Sequence, residues 1–242
     1  MMIKDYLCLD LETTGLNPKT EKIIEIGAVR VRDGRITDSF ESLVAPGRLL
    51  EERITELTGI TDDMLKNAPE KEDIIPKFLE FAGDDIIMGH SILFDYSFLK
   101  RAAINCKCQF EKRGIDTLKI ARKFLPDLES RSLSYLCSYY KIEHRAHRAL
   151  EDAKATVSLY QKLAEEFYTE EDFRPFPLIY KVKKESPVTK AQKERLYHLF
   201  KKHKLAIEAD QELRVCLSIE LDKMTKNEAS RYTDRILSKY GR

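Results

Sequence analysis

The chain has 242 residues, 43% of them hydrophobic and 34% charged, with a formal net charge of +1. That length supports one good core, or one domain with a small appendage. No apolar run approaches the roughly 20 residues that a membrane span needs, and Met1-Met2-Ile3-Lys4-Asp5, followed by a short apolar stretch ending in acids, lacks a secretory pattern.

Tyr6-Leu7-Cys8-Leu9 is a short apolar run that stops at Asp10, as a buried strand does at a sheet edge. Ile23 to Arg32 alternates with β-branched residues, Asp33-Gly34 is a hairpin dipeptide, and Ile36 to Val44 resumes the strand pattern. Ile54, Leu57, Ile60, Met64 and Leu65 mark short helical turns, and Glu70 to Phe81 reads as a helix. Ile86-Ile87-Met88 predicts a fourth strand closed by Gly89, Phe94 to Ile104 a helix, and Ile115 a brief fifth strand. Thr117 to Phe124, Ser132 to Tyr139 and Ala149 to Phe167 carry helical periodicity. This order predicts an α/β domain with a mixed five-stranded sheet flanked by helices. Residues 169–188 hold three prolines and no clean period, which reads as a linker, and three further helices are expected over Lys190–His203, Gln211–Asp222 and Lys226–Tyr240. The expected organisation is therefore a domain over 1–168, a linker over 169–188 and a small all-α module over 189–242.

The five cysteines, Cys8, Cys106, Cys108, Cys137 and Cys216, are odd in number and scattered. Cys106-Lys107-Cys108 lacks the second ligand pair of a zinc site, so reduced thiols in a cytoplasmic protein are expected. The near-zero net charge conceals an asymmetry: residues 1–168 carry −4 and residues 189–242 carry +5. Leu196, Tyr197, Leu199 and Phe200 are interleaved among the lysines of the tail. Two readings stand level, a helical bundle with a solvated basic face and a nucleic-acid-binding module.

Asp10-Leu11-Glu12 carries the chemistry. Period-2 alternation puts the two carboxylates on one face, with Leu11 turned into the core. Adjacent carboxylates repel, and a divalent cation between them relieves that repulsion. An isolated Asp-x-Glu is common on surfaces, but here Thr13-Thr14-Gly15 follows it. Gly89-His90-Ser91-Ile92-Leu93-Phe94-Asp95 occupies a later strand-to-helix junction, and His147-Arg148-Ala149-Leu150-Glu151-Asp152 opens the longest helix. These three ordered motifs, with Leu57-Thr58-Gly59-Ile60-Thr61, Ile115-Asp116-Thr117-Leu118 and Ser132-Leu133 between them, closely resemble the DnaQ-like exonucleases of the DEDDh group.

The resemblance covers about Tyr6 to Phe167 and implies an RNase H-like fold and a 3′→5′ exonuclease. It assigns Asp10, Glu12, Asp95 and Asp152 to two divalent ions and His147 to the role of general base. It also gives Thr13, Thr14, Leu57, His90 and Ser91 positions beside the substrate. Oxygen-only ligands without cysteine suit Mg²⁺ or Mn²⁺, and a histidine titrating near neutrality suits proton transfer from water. His147 lies five residues before Asp152, a spacing that fits a loop before the helix better than a shared helix face. His144 is a competitor for the base role, and His90 also reads as a buried hydrogen-bonding residue. Asp116 reads as the cap of the next helix. The family commonly has Asn where Ser91 stands, which leaves substrate positioning near Asp95 open. The implied substrate is the 3′ end of single-stranded or frayed DNA, released as nucleoside 5′-monophosphates. An exoribonuclease on the same fold, an inactive binding module, and a proofreading subunit with a polymerase or repair partner are the alternatives.

Overall fold

The computed structural model describes residues 2–144, 146–210 and 213–241. Three strands open the chain: β1 (Tyr6–Thr13), β2 (Ile23–Arg32) and β3 (Arg35–Leu43), paired antiparallel in sequence order. Two short helices, α1 (Glu52–Thr58) and α2 (Asp62–Leu65), lead into α3 (Lys71–Ala82). Then follow β4 (Ile87–Gly89), α4 (Ile92–Asn105), β5 (Arg113–Asp116), α5 (Thr117–Phe124), α6 (Leu133–Tyr140) and α7 (Ala149–Phe167). β4 lies parallel to β1, and β5 parallel to β4.

The sheet has six strands in the order β3-β2-β1-β4-β5-β6, one more than the periodicity predicts. The extra strand, β6 (Phe176–Pro177), comes from the segment read as a linker and pairs antiparallel with Arg113 and Gly114. Its proline hides it from strand patterning, yet an edge position tolerates a residue that lacks an amide proton. Nor is that segment a free tether, because Phe173 and Leu178 are buried in the two sheet-face cores.

Alternation along β1 distributes the core. Leu7, Leu9 and Leu11 join α3 and α4 on one face of the sheet, while Tyr6 and Cys8 join α5, α6 and α7 on the other. The strand does not stop at Asp10. Its ladder with β2 continues through Asp10 opposite Gly27 and Glu12 opposite Glu25, so the two acids sit inside the strand and extend the Tyr6–Cys8 face toward α7.

The C-terminal module has its own core of Val188, Leu196, Leu199, Ile207, Leu213, Met224, Ala229, Tyr232 and Ile236. Its helices are α8 (Lys190–Lys202), α9 (Lys204–Glu208) and α10 (Lys226–Tyr240). Capping boxes open α8 at Thr189 with Gln192 and α10 at Thr225 with Glu228. The continuous helix expected over Gln211–Asp222 is absent among the described residues, where two 3₁₀ turns, Arg214–Ser218 and Leu221–Lys223, stand instead. Gln211 and Glu212 of that expectation lie outside the described residues. No described helix is long and apolar enough to cross a membrane. Cys8, Cys106, Cys108 and Cys137 are unbridged, and the Cys216 side chain lies outside the described part.

Candidate active site

The acids converge because α7 begins against β2. A Cβ at Gly27 would lie 2.1 Å from the amide of Leu150 and 2.2 Å from the carbonyl carbon of Ala149, so only glycine lets the helix start there. Glu25, fully buried on the same strand, fixes that helix end. Its carboxylate accepts from the Ala149 amide at 2.9 Å and from Arg148 at 2.8 and 3.0 Å. Asp152, in the first turn of α7, is thereby brought beside β1.

Asp10, Glu12 and Asp152 each offer a carboxylate oxygen, and these oxygens all lie within 4.8 Å of one another. Asp95 stands in the first turn of α4, beyond the end of β4, and is 2% exposed. Burial pushes the Asp10 carboxyl well above the usual carboxylate range, and the charges of Asp95, Asp152, Glu12 and Glu25 add to the effect. Burial, then Asp152 and Glu25, push Glu12 up to about 8 against the pull of Arg148. Asp95 is raised by burial, with backbone hydrogen bonds at Asp95 and Leu11 opposing and the charges of Asp116 and Glu12 adding. Asp10, Glu12 and Asp152 converge with little counter-charge, an acidic cluster that could hold a cation, and Asp95 adds its charge at Asp10 from the start of α4. An all-oxygen donor set suits a hard divalent ion such as Mg²⁺ or Mn²⁺.

The remaining predicted residues are placed less uniformly. His147 is exposed on the turn before α7, with a left-handed φ of 66°, and is not gathered into the carboxylate cluster. His144 takes that place, its Nε2 lying 2.5 Å from Asp152 Oδ1. Both ring nitrogens of His90 are used inside the protein, at 2.9 Å from the Thr117 hydroxyl and 2.8 Å from the Arg131 carbonyl. Burial also lowers the His90 pKa. His90 thus fixes the junction between the sheet and the α5–α6 segment rather than offering a hydrogen bond to substrate.

Ser91 caps α4 in the left-handed region, its amide donating to Asp116 Oδ1 at 3.0 Å. Asp116 caps α5 as expected, accepting from the Leu118 and Lys119 amides. Thr13 donates its hydroxyl to the Gly15 carbonyl at 2.8 Å. Thr14 is 3% exposed and spends both its amide and its hydroxyl within the protein, so it does not offer them to a nucleotide. Leu57, on α1, is 53% exposed.

Sequence reasoning passed over Glu25, Arg148 and Gly27. The available signal was an acid inside an apolar strand run, Ile23-Ile24-Glu25-Ile26, where a buried charge requires a partner.

The chain is similar to known proteins. Residues 7–160 match the RNase T exonuclease family. The epsilon subunit of DNA polymerase III from Aquifex aeolicus is 39% identical over 165 residues, covering 67% of this chain and 82% of that protein. The PolC-type DNA polymerase III of Caldanaerobacter subterraneus subsp. tengcongensis is 40% identical over 163 residues, and this chain spans only 12% of its length. Among solved structures, Exonuclease X in complex with 5′ overhanging duplex DNA superposes with a TM-score of 0.57 at 27% identity, covering 69% of this chain and 96% of that one. With the three motifs on a shared RNase H-like fold, the chain belongs to the DnaQ-like exonuclease family.

Proposed function

We propose that this chain is a metal-dependent 3′→5′ exonuclease that releases nucleoside 5′-monophosphates from single-stranded or frayed 3′ ends of DNA in the cytoplasm. Residues 1–168, completed by β6 and the buried Phe173 and Leu178 of the connecting residues 169–188, form the exonuclease domain, and residues 189–242 the basic helical module. The carboxylate cluster of Asp10, Glu12 and Asp152, crowded and short of counter-charge, carries the reading.

With Asp95, these acids would hold two divalent ions, Mg²⁺ or Mn²⁺. Such ions supply Lewis acidity that makes water nucleophilic near neutral pH and offsets charge on the departing 3′ oxygen. His147, on a turn next to the helix that carries Asp152, accepts the proton of the attacking water. Glu25 and Arg148 hold the start of that helix, so the distance between the β1 acids and Asp152 is set before substrate arrives.

DNA is preferred over RNA because the relatives are named as DNA polymerase III components and the matched structure is in complex with duplex DNA. Covering 82% of a protein named as the epsilon subunit also favours a version of this reading in which the enzyme serves a polymerase or repair partner. The test is to incubate purified chain with 5′-labelled single-stranded DNA, duplex DNA and RNA of matched sequence, with Mg²⁺, Mn²⁺ or chelator. One-nucleotide steps from the 3′ end of DNA, dependent on metal, are expected. Interior cuts, or equal cleavage in chelator, would refute the assignment, and faster cleavage of RNA would reassign the substrate.

A further inference from the structure

The C-terminal module grips one loop of the exonuclease domain, and that loop leaves the metal-binding strand. The β1–β2 ladder loses register between Glu12 and Thr13, so sheet pairing ceases to fix the backbone just past the carboxylates. Side chains take over from there. The Thr14 hydroxyl donates to Glu21 Oε2 at 2.8 Å and accepts from the Lys22 amide at 2.9 Å and from Arg48 at 2.6 Å. Glu21 also pairs with Arg48 directly, and accepts from the Thr20 hydroxyl at 2.8 Å.

Further side-chain links lead into the module. Arg231 of α10 reaches Glu21 Oε1 at 3.2 Å. Arg48 donates to the Tyr232 hydroxyl at 3.0 Å, Lys22 pairs with Glu228 at 2.7 Å, and the Leu49 amide donates to the Ser218 hydroxyl at 3.0 Å. These are inner contacts: the side chains of Arg48 and Glu228 are 6% and 8% exposed. A surface ion pair contributes little, whereas buried and multiply bonded pairs fix geometry. Thr14 is the inner end of the network, two residues from Glu12, and its own hydrogen-bonding groups are spent on holding the loop.

We propose that Glu21, Lys22 and Arg48 are positioning residues for the exonuclease site, and that α10 holds them in place through Arg231, Glu228 and Tyr232. The module then sets how the loop over residues 13–22 meets the substrate end. This rests on the exonuclease reading, and the test keeps the two apart.

The decisive variant is Glu228→Gln in the full chain, compared with wild type and with Tyr232→Phe. Gln keeps the capping-box role at the third helical position, so α10 retains its start. It also removes a negative charge, so electrostatics alone would draw phosphate closer and lower KM. Loss of the grip has the opposite sign. KM for a single-stranded 3′ end is expected to rise about three- to tenfold, the worth of roughly one hydrogen bond. Meanwhile kcat should stay within about twofold, the signature of impaired substrate positioning with the chemistry intact. Hydrogen exchange at the Thr14 and Lys22 amides should quicken in both variants.

A KM that is unchanged or lower, or a melting temperature that falls with exchange at residues 13–22 unaltered, would overturn the proposal. Should Glu228→Gln fail to fold, Tyr232→Phe decides, since it removes one oxygen and leaves the ring in the module core. If wild type itself does not cleave, the exonuclease reading falls, and the exchange data alone decide whether the module holds the loop.

Discussion

Glu12 and Glu21 stand at the two ends of one loop, both largely buried, and their carboxyls are driven in opposite directions. Burial, Asp152 and Glu25 push Glu12 up to about 8. Burial opposes ionisation at Glu21 as well, but Arg48, the Thr14 and Thr20 hydroxyls and Arg231 overcome it and hold that carboxyl below its usual range. Glu228 repeats the second case through Lys22 and the Thr225 cap. Where this chain buries an acid for structure, it supplies a cation of its own. Around Asp10, Glu12 and Asp152 it supplies almost none, and that difference is what supports the proposed cation site.

Removing an acid of this cluster should have the largest effect. Asp10→Ala or Asp152→Ala is expected to lower turnover by roughly a thousandfold or more, since in the proposed mechanism each takes a ligand from the ions that stabilise the transition state. The metal-free variants should fold and melt higher than wild type, because like-charge repulsion is relieved. Steady-state rates in Mg²⁺ and thermal melts check both statements, and activity within tenfold of wild type would remove the residue from the ligand set.

Next in size is the proposed general base. His147→Ala should lower kcat by roughly 10²–10⁴-fold with substrate affinity little changed. The His144–Asp152 contact sharpens this comparison, since one of the two histidines must lose its claim. A large kcat effect in His144→Ala, with His147→Ala near normal, would reverse the assignment.

The smallest effect is expected on the basic face of the module. Truncation after Ser186 would strip Glu21, Lys22 and Arg48 of their partners, so charge neutralisation is the cleaner perturbation. Exposed Lys184, Lys190 and Lys201 changed together to Gln should leave kcat on a short oligonucleotide unaltered. On long single strands KM should rise and the salt slope flatten, by up to about 0.7 for each phosphate no longer neutralised. Identical salt slopes would leave α8 an ordinary solvated surface.

The sequence made legible what is local. β1 and β2 follow their apolar and β-branched runs, α5 and α7 follow their helical period, and the carboxylates announce themselves by motif. What it concealed is long-range. Arg148 meets Glu25 across 123 residues, and Arg48 meets Tyr232 across 184, separations that no window of periodicity spans. β6 was hidden for the opposite reason, as two residues ending in proline carry no strand period at all. Thr14 shows a subtler limit. A hydroxyl in a motif reads as a substrate contact, and only coordinates reveal that its hydrogen bonds are already committed to Glu21, Lys22 and Arg48.

The central claim is that the clustered carboxylates of Asp10, Glu12 and Asp152 are held together against their own repulsion until a cation joins them. Thermal melts of the metal-free chain from pH 5 to 8.5, with and without Mn²⁺, test it most directly. A carboxyl raised to about 8 in the folded state binds its proton more tightly than in the unfolded chain. The stability it contributes is full below the ordinary carboxylate range near 4.5 and is lost as pH rises through about 8. The melting temperature of the metal-free protein should therefore fall across this window. Mn²⁺ should restore it most strongly at the upper end, and Asp10→Asn should lessen both the fall and the restoration. A metal-free melting temperature that holds steady to pH 8.5, or a Mn²⁺ effect that persists undiminished in Asp10→Asn, would contradict the account.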